Sequence, residues 1–494
     1  MKTVVMRMEM LYKAFGLFMA ILVAVSCRKA ETAASPITLT NISDTIPESG
    51  GTVALSFHSN AAWSVDTTGA GWLQLSQTSG NSGAATINLT AAANLSGISR
   101  SVLLTVNLTN GESRRITVIQ LPPIFPSYNT SPIAADGTGT GSTAAQIVGN
   151  IKLGWNIGNS LEAPGGETGW GNPVITQALI DLVKNSRFNA IRIPCAWNQH
   201  ADQKTAAIDT AWIRRVKEVV QYCINDGMYI LLNDHVNDGW LDCTATGARL
   251  DTIKAKQKAY WEQIATAMRD FDEHLMLGSA NEPNATDLPS STLLENYHQI
   301  FINAVRSTGG KNAFRTLVIQ APSTSIDLAD YFTAVPGMPV DKVPNKLIME
   351  VHWYTPSNFC LLTSDASWGP EWCYWGANYH STDDITRNAT ANTEEAYVDS
   401  SLGYVKRRFI NNNIPFLIGE FDAARHNATL TGHPQDSVLS LNSRSHFFRY
   451  LTQAARANGI PAFLWDAYYD LIDRKNNVVY DQQALDSLKA GAGL

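Results

Sequence analysis

The sequence is poor in charged residues and contains no block of lysine or arginine. Charged side chains make up 16% of the 494 residues, and the formal net charge is -7 at pH 7. Nucleic acids and anionic membranes bind through clustered basic side chains, so we expect no nucleic-acid partner. Hydrophobic residues make up 45% of the chain, which is enough for a large core and predicts two or three folding units.

Motifs of several enzyme classes are also absent. The six cysteines include no C-x-x-C pair, the spacing typical of zinc sites. The ten histidines include no H-x-H pair, which argues against a metal-dependent hydrolase. There is no G-x-S-x-G motif of a serine esterase, and GTGTG at 137–141 lacks the spacing of a dinucleotide fingerprint. We therefore expect no metal ion and no other cofactor.

The N-terminus has the pattern of an export signal. Basic residues precede an apolar stretch at 14–25, and this stretch is shorter than the roughly 20 residues that a membrane-spanning helix needs. AVSC at 24–27 resembles a bacterial lipobox, which implies lipidation of Cys27. We therefore assign residues 1–27 to a lipoprotein-type signal segment. The expected location is the cell surface or the periplasm, with a lipid anchor in the membrane, and soluble secretion is the alternative.

Residues 37–121 alternate between apolar and polar side chains, which predicts a small all-β, immunoglobulin-like sandwich. The phrases WLQLSQTSG, ANLSG and ITVIQ resemble BACON domains of Bacteroidetes surface enzymes, and this resemblance implies either carbohydrate binding or a spacer. Trp63 and Trp72 fall in strand patterns and are expected in the core, which favours the spacer. Residues 122–146 are rich in Pro, Gly, Ser and Thr, which predicts a linker.

From residue 147 to 494, short apolar runs alternate with stretches of helical periodicity. Eight strands alternating with helices predict an α/β fold, a (β/α)₈ TIM barrel. The runs lie at 152–158, 189–194, 229–234, 275–281, 316–320, 346–354, 415–420 and 462–466.

Polar or aromatic side chains stand at or near the ends of six of these runs. In a barrel, the carboxyl ends of the strands meet at one rim, so we expect these side chains to lie together. Glu282 directly follows the fourth run, and Glu420 ends the seventh. Two carboxyl groups about 5–5.5 Å apart are what a retaining glycosidase needs. A bland alternative for Arg192 in the second run is an ion pair with Glu350 below the rim.

Several motifs resemble glycoside hydrolase family 5, in particular its subfamily 4 of endo-β-glucanases and xyloglucanases. They are GWNIGNSLEA, GETGWGNP, IRIPCAW, GSANEP, HWY and GEFDA, and they extend over about residues 150–490. Val236 stands where many members have a second histidine. The positions that mark the family correspond to Arg192, His235, Asn281, Glu282, His352, Tyr354, Glu420 and Trp465.

Charge and reach, together with this resemblance, indicate roles for these residues. Glu420 is expected to be the nucleophile, with Arg192 and Tyr354 lowering its pKa. Glu282 is expected to start protonated and to act as acid and base. Asn281 is placed to hold the substrate 2-hydroxyl.

The remaining candidates are expected to orient groups or to contact the substrate. His235 and His352 would orient the carboxylates or bind sugar hydroxyls, and Trp465 would lie under the sugar at the cleavage point. Further substrate-binding candidates on the same rim are Asn159, Trp170, Trp197, His200 and Trp240.

The expected activity is that of a retaining endo-β-1,4-glucanase of the cellulase type, acting also on mixed-linkage β-glucan or xyloglucan. Alternatives are a mannanase or xylanase of the same family, or a non-catalytic carbohydrate-binding protein. The expected partner is a β-glucan polysaccharide, and the protein is expected to be a monomer. Cys195 and Cys223 are expected to be buried thiols, whereas pairing of Cys360 with Cys373 is left open.

Overall fold

The computed structural model describes residues 36–94, 98–235, 239–332, 337–426, 430, 434–467 and 470–494. The predicted signal segment with Cys27, and also Val236, lie outside the described residues. The chain divides into two compact units, and the boundary between them in the sequence lies between Pro123 and Ile124. Among the described helices, none has the length and hydropathy that crossing a membrane requires.

The first unit consists of two sheets, as the alternating pattern predicts. One has the order β1, β3, β7, β5 and the other β2, β9, β8, β4, β6. Their pairs are antiparallel except that β2 runs parallel to β9. Buried side chains of both sheets form one core. The strands are β1 (Ile37–Leu39), β2 (Ser43–Ile46), β3 (Gly51–Ser59), β4 (Trp63–Asp66), β5 (Leu73–Leu75), β6 (Ser79–Gly80), β7 (Gly83–Ala91), β8 (Arg100–Leu108) and β9 (Ser113–Gln120).

The two tryptophans of this unit differ in exposure. Trp63 is buried, with its ring edge-on to Phe57 at 5.0 Å between ring centroids. Trp72 is only partly buried, and the guanidinium carbon of Arg100 lies 4.6 Å from its ring centroid. Trp63 is therefore a core residue as predicted, whereas Trp72 packs at the surface beneath a cation.

The second unit contains a closed barrel of eight parallel strands, and each predicted run overlaps one of them. The first strand pairs with the last and closes the barrel. The α/β barrel prediction is confirmed. The strands are β10 (Gly154–Ile157), β11 (Ala190–Ile193), β12 (Tyr229–Asn233), β13 (Leu275–Gly278), β14 (Leu317–Gln320), β15 (Leu347–Trp353), β16 (Phe416–Phe421) and β17 (Ala462–Asp466).

Helices surround the barrel, and α3 shows how the sequence specifies them. The Asp209 carboxylate caps its first turn by accepting a hydrogen bond from Ala211 N at 2.8 Å. Its buried residues recur at helical spacing, and Gly227, at φ 61°, follows its end. The helices are α1 (Ala144–Asn150), α2 (Gln177–Asn185), α3 (Thr210–Asn225), α4 (Gly247–Met268), α5 (Leu288–Ser307), α6 (Ser357–Cys360), α7 (Glu395–Arg408), α8 (Pro434–Ala457) and α9 (Gln482–Ala492).

The interior of the barrel is apolar at its amino-terminal end. Buried residues of α1 pack there against one another and against inward-facing side chains from seven strands: Ala190, Leu231, Met276, Val318, Ile348, Leu417 and Phe463. A Cβ atom on Gly154 would lie 2.1 Å from Cδ1 of Phe463, so this glycine makes room for the ring. The packed end leaves the carboxyl ends of the strands as the place for polar chemistry.

Part of the predicted linker lies against the barrel. The Glu262 carboxylate of α4 accepts hydrogen bonds of 2.7–3.2 Å from Ser127 Oγ, Tyr128 N and Asn129 N. Further along, Lys346 Nζ donates to two backbone carbonyls, those of Thr140 and Ser142. Residues 124–146 belong to the second unit, and barrel side chains bond to several of their backbone groups. Composition alone, without apolar periodicity, did not reveal these contacts.

The described cysteines are all free and buried. Cys195 and Cys223 are buried thiols as predicted. Cys360 and Cys373 do not form the disulfide that the sequence left open. Burial raises the pKa of Cys373 to about 12 and that of Cys360 well above its usual range, so both stay protonated at neutral pH.

Candidate active site

The centre of the site is Arg192, which points inward from β11 and is completely buried. Its Nη1 donates to Glu420 Oε1 at 2.6 Å and to Asn156 Oδ1 at 3.0 Å. Its Nη2 donates to Asn281 Oδ1 at 2.7 Å. Nε lies 2.8 Å from Glu350 Oε1 in an ion pair that lacks hydrogen-bond alignment. The ion pair with Glu350 and the contact with Glu420 therefore exist together.

Glu420 is held at both carboxylate oxygens and is only 4% exposed. Arg192 donates to Oε1, and the Tyr354 hydroxyl donates to Oε2 at 2.9 Å. Burial and the negative charge of Glu420 raise the pKa of Tyr354 well above its usual value. The hydroxyl therefore keeps its proton and remains a donor at neutral pH. One donor from β11 and one from the residue that follows β15 fix the orientation of this carboxylate.

Glu282 follows β13 and contacts His352 of β15. His352 Nδ1 lies 2.7 Å from Glu282 Oε1. Burial lowers the pKa of His352, but the charge of Glu420 and hydrogen bonds with Glu282 and Glu350 outweigh it and raise the pKa to about 9. Burial in turn raises the pKa of Glu282, and the hydrogen bond and positive charge of His352 outweigh that and lower it.

The expectation that Glu282 starts protonated is corrected by this pair. A lowered pKa at Glu282 and a raised pKa at His352 place the proton on the imidazole at neutral pH. The physical reason is that His352 is buried among three carboxylates, and their negative charges stabilise the positive charge of the protonated imidazole. The sequence placed both residues at the rim but gave no sign of their direct contact.

The two glutamates lie close together across the mouth of the barrel. One oxygen of Glu282, one ring nitrogen of His352 and one oxygen of Glu420 lie within 4.8 Å of one another. A β-bulge between Val351 and His352 puts His352 opposite Glu420 in the register of β15 with β16. An inverting glycosidase needs about 6.5–9.5 Å between its carboxyl groups to admit water, and a retaining one about 5–5.5 Å. The separation fits retention.

A layer of polar residues beneath the site was not predicted. Gln320, at the end of β14, donates to Glu350 Oε2 at 2.5 Å and accepts from Ala280 N at 2.9 Å. It thereby holds both Glu350 and the peptide between Ser279 and Ala280, one residue before Asn281. Gln320 and Asn156 are polar residues inside apolar strand runs, a signal that would have found them.

His298 of α5 supports this layer, and both of its ring nitrogens are bonded. Nδ1 lies 2.8 Å from Ser279 Oγ, and Nε2 lies 3.0 Å from the Gln320 carbonyl oxygen. Burial lowers the pKa of His298 to about 4, so the ring is neutral. Its position in the middle of a helix gave no sequence signal.

Gly419 precedes Glu420 for a steric reason. A Cβ atom at this position would lie 1.8 Å from Glu350 Oε1. The absent side chain leaves room for the Glu350 carboxylate, which pairs with Arg192.

His235 and Trp465 lie beside each other at the rim. Their rings are stacked, with 5.9 Å between centroids and 19° between planes. Burial first, then the positive charges of Arg192 and His352, lower the pKa of His235 well below its usual value, so it is neutral. Its ring contacts, Trp465 and Asn233 Nδ2 at 3.5 Å, are not the carboxylates. Trp465 is half-buried.

The prediction that Trp197 binds substrate is wrong. Trp197 is completely buried, and its Nε1 donates to the Asn233 carbonyl at 3.1 Å. A ring with no exposed face has none to offer a sugar, so Trp197 is a packing residue.

The other substrate-binding candidates differ in how open they are. Trp170 is 47% exposed. His200 stacks on Trp212 at 3.7 Å between centroids, and Trp240 lies half-buried and edge-on to Tyr260. Asn159 adopts φ 57°, in the loop that follows β10. Among these four, the Trp170 ring is the most accessible to a ligand.

An eight-stranded barrel with two facing glutamates at the carboxyl ends of its strands is the arrangement of a retaining glycosidase. Comparison with protein-family models agrees. The model described as cellulase (glycosyl hydrolase family 5) matches residues 156–470, and a model described as viral BACON domain matches residues 32–121. The chain belongs to glycosyl hydrolase family 5 and is a glycoside hydrolase.

Two curated relatives illustrate the similarity. A xyloglucan-specific endo-β-1,4-glucanase from Bacteroides ovatus is 30% identical over 452 residues, which cover 87% of this chain and 86% of that protein. Endoglucanase A from Clostridium longisporum is 32% identical over 350 residues, or 66% of this chain and 60% of that protein.

Solved structures give the same result. A Bacteroides ovatus family 5 xyloglucanase in complex with a XXXG heptasaccharide aligns at a TM-score of 0.67 and 27% identity, covering 93% of this chain and 100% of that one. A xyloglucan-specific β-1,4-glucanase from a ruminal metagenomic library aligns at a TM-score of 0.65 and 36% identity. The alignment covers 71% of this chain and 96% of that one.

We expect His352 to stay protonated through neutral pH and to titrate at about 9. Because the folded-state pKa is raised, the stability from this proton is complete below the ordinary value of 6.5 and is lost as pH rises through about 9. Nuclear magnetic resonance of ¹⁵N-labelled imidazoles measures the midpoint, and Glu282→Gln should lower it. His235 is the internal control and should stay neutral. A His352 midpoint at or below 6.5 contradicts the assignment.

Proposed function

We propose that the protein is an endo-acting β-1,4-glucanase that cleaves xyloglucan and related soluble β-glucans with retention, through Glu420 as nucleophile and Glu282 as acid and base. The observation that carries the proposal is the cluster of Glu282, His352 and Glu420 within 4.8 Å, with Glu420 bonded at both oxygens. A carboxylate so oriented can attack an anomeric carbon without first reorganising.

In the first half of the reaction, a Glu420 oxygen bonds to the anomeric carbon and the glycosidic bond breaks. The leaving oxygen takes a proton from Glu282, which receives one from His352 Nδ1 along the 2.7 Å contact. Glu420 is the largest cause that raises the pKa of His352. Its negative charge is consumed as the covalent bond forms, so His352 becomes a better proton donor at the moment when the proton is needed.

In the second half, the steps run in reverse with water in place of the leaving group. Glu282 takes a proton from water and passes it to His352 Nδ1, the water oxygen bonds to the anomeric carbon, and the bond to Glu420 breaks. The restored charge of Glu420 again favours a protonated His352. Two displacements at one carbon give overall retention.

Two neighbouring groups position the sugar in this proposal. The Asn281 amide oxygen accepts from Arg192, so its NH₂ group is the part that can donate to the substrate 2-hydroxyl. The Trp465 ring is covered on one side by His235 and half-buried, which gives a rigid apolar surface under the sugar at the cleavage point.

The choice of substrate rests on the relatives. Two of those described above are xyloglucan-specific β-1,4-glucanases. Others that align well are a broad-specificity endoglucanase from Clostridium longisporum and a lichenase from Caldicellulosiruptor. These names favour a β-1,4-glucan backbone over mannan or xylan. A non-catalytic role is disfavoured by the paired donors on Glu420, which sugar binding alone does not need.

We further propose that the protein is exported and lipid-anchored at Cys27, on the basis of the apolar stretch at 14–25 and the AVSC sequence. For the first unit we propose a spacer role, since Trp63 is buried and Trp72 lies under Arg100.

Glu420→Gln and Glu282→Gln should each lower hydrolysis of xyloglucan by at least about 10³-fold, because shape is kept while the nucleophile or the proton donor is lost. The two variants can be distinguished with an aryl glycoside as substrate, because its phenolate leaves without being protonated. There Glu282→Gln should still form the covalent intermediate and give a burst of phenolate, whereas Glu420→Gln should not.

The matched control is Glu218→Gln, on the exposed face of α3, which should keep full activity. Sugar binding, followed by calorimetry with an oligosaccharide, should survive in both active-site variants. Full hydrolysis by either of them refutes the assigned role.

The substrate proposal predicts highest kcat/KM on xyloglucan or barley β-glucan, with mannan and xylan slower by at least about tenfold, since a poorly fitted sugar loses about 1–3 kcal/mol of transition-state binding. Product sizes from purified polysaccharide should show internal cleavage, and proton resonances of fresh products should show the β-anomer. A preference for mannan or xylan overturns the substrate, and α-anomeric products overturn the mechanism.

A further inference from the structure

A second cluster of metal-ligating side chains is formed by residues outside the active site. Glu371 and Cys373 lie in the long segment between β15 and α7, and His426 lies in the loop that follows β16. One carboxylate oxygen, one sulfur and one ring nitrogen of these residues lie within 4.8 Å of one another. All three residues are buried, with exposed fractions of 0%, 0% and 2%. Because they come from two distant parts of the chain, no motif spacing in the sequence predicts this cluster.

Within the described part of the chain, the histidine of this cluster has a hydrogen-bond partner at one ring nitrogen only. His426 Nδ1 lies 2.8 Å from Glu371 Oε1. Nε2 is buried and has no hydrogen-bond partner among the described residues. His298, an equally buried histidine of the same protein, has both nitrogens bonded. Among the described residues, His426 therefore has one hydrogen bond fewer than a buried histidine normally has, and its contact with Glu371 at Nδ1 is the one that a cation would replace.

The donor set matches a divalent zinc ion. Zinc takes thiolate sulfur, imidazole nitrogen and carboxylate oxygen, and a site with three such protein ligands completes its tetrahedron with a water molecule. A thiolate and a carboxylate together neutralise a divalent cation, which lowers the cost of burying it. Bonds of about 2.0–2.3 Å require ligand atoms about 3.3–3.6 Å apart, so the contact between Nδ1 and Oε1 widens by about 0.5 Å when a cation enters.

The surrounding backbone holds the ligands in place. Arg387 Nη1 donates to the Glu371 carbonyl at 3.1 Å, and Cys373 N donates to the Arg387 carbonyl at 2.8 Å. On the other side, the Phe359 ring packs against His426 at 5.4 Å between centroids. Burial, followed by the charge of Glu371, raises the pKa of Cys373 to about 12, so metal binding must displace the thiol proton.

We propose that Glu371, Cys373 and His426 form a zinc site, in which these three side chains and one water molecule surround the ion. The site joins the segment between β15 and α7 to the loop that leaves the strand of Glu420. His426 is six positions beyond Glu420 in the chain, so the metal strengthens a connection between this loop and the segment, to which Ala424 N already contributes by donating to the Cys360 carbonyl at 3.1 Å. The proposal stands independently of the substrate of the enzyme.

The test uses the full chain, reduced, stripped with a chelator and then given Zn²⁺, with bound metal measured by mass spectrometry after gel filtration. We expect about one Zn²⁺ per chain and a melting temperature at least about 3 °C above that of the stripped protein. Replacement by Co²⁺ should give the near-ultraviolet charge-transfer absorption of a cobalt thiolate.

Three variants locate the metal. Cys373→Ser should lose the cobalt thiolate absorption and most of the bound zinc. Cys360→Ser, which removes a neighbouring buried thiol that is not in the cluster, should keep both. Glu282→Gln should also keep both, and it excludes binding by the active-site carboxylates, which include no sulfur.

Specific results overturn the proposal. Absence of zinc from the wild-type chain, with equal melting temperatures before and after metal addition, shows that the cluster is only a histidine–carboxylate hydrogen bond beside a thiol. Loss of zinc in Glu282→Gln but not in Cys373→Ser places the ion in the active site instead. The cobalt spectrum of the wild-type chain needs no variant to fold, so the proposal stays testable if Cys373→Ser does not.

Discussion

The structure of the active site depends on one buried positive charge. Arg192 has no exposed surface, and its guanidinium contacts Glu420, Glu350, Asn281 and Asn156. A charge taken out of water must be paired and hydrogen-bonded, and removing one partner of such a pair typically costs about 3–5 kcal/mol. The same contacts that make the arginine tolerable therefore hold the carboxylate and the amide in the positions that glycoside chemistry uses. Stability and function share one set of bonds here.

The crowding of charged groups around Arg192 also decides where the proton of the site lies. Arg192 and a protonated His352 face three carboxylates, those of Glu282, Glu350 and Glu420. With more acids than bases at close range, the imidazole keeps its proton, and Glu282 is ionised in the free enzyme. Formation of the covalent bond would remove one of the three negative charges and weaken the hold on that proton. Proton donation is then coupled to nucleophilic attack by electrostatics, without movement of any backbone element.

The packing residues and the catalytic residues of the barrel lie at different levels along its axis. Apolar side chains and helix α1 fill the amino-terminal end, while Gln320, His298 and Glu350 form a polar layer beneath the rim. Each of these groups is hydrogen-bonded to the next, so the layer adds rigidity without leaving a buried polar atom of Gln320 or His298 unsatisfied. Gly419 also contributes to this layer, because the absence of a side chain leaves room for the Glu350 carboxylate.

The sequence by itself determined the barrel, since eight apolar runs separated by helical periodicity leave few other packings. It also determined the eight rim positions, because strand ends in a parallel barrel fall on one edge. Only the tertiary structure decided which of those groups touch. The contact between Glu282 and His352, the burial of Trp197 and the docking of residues 124–146 all depend on distances between segments far apart in the chain. Local periodicity reports which face of a strand or helix is buried, but pKa values and ligand sets depend on neighbours that only folding brings within a few ångströms.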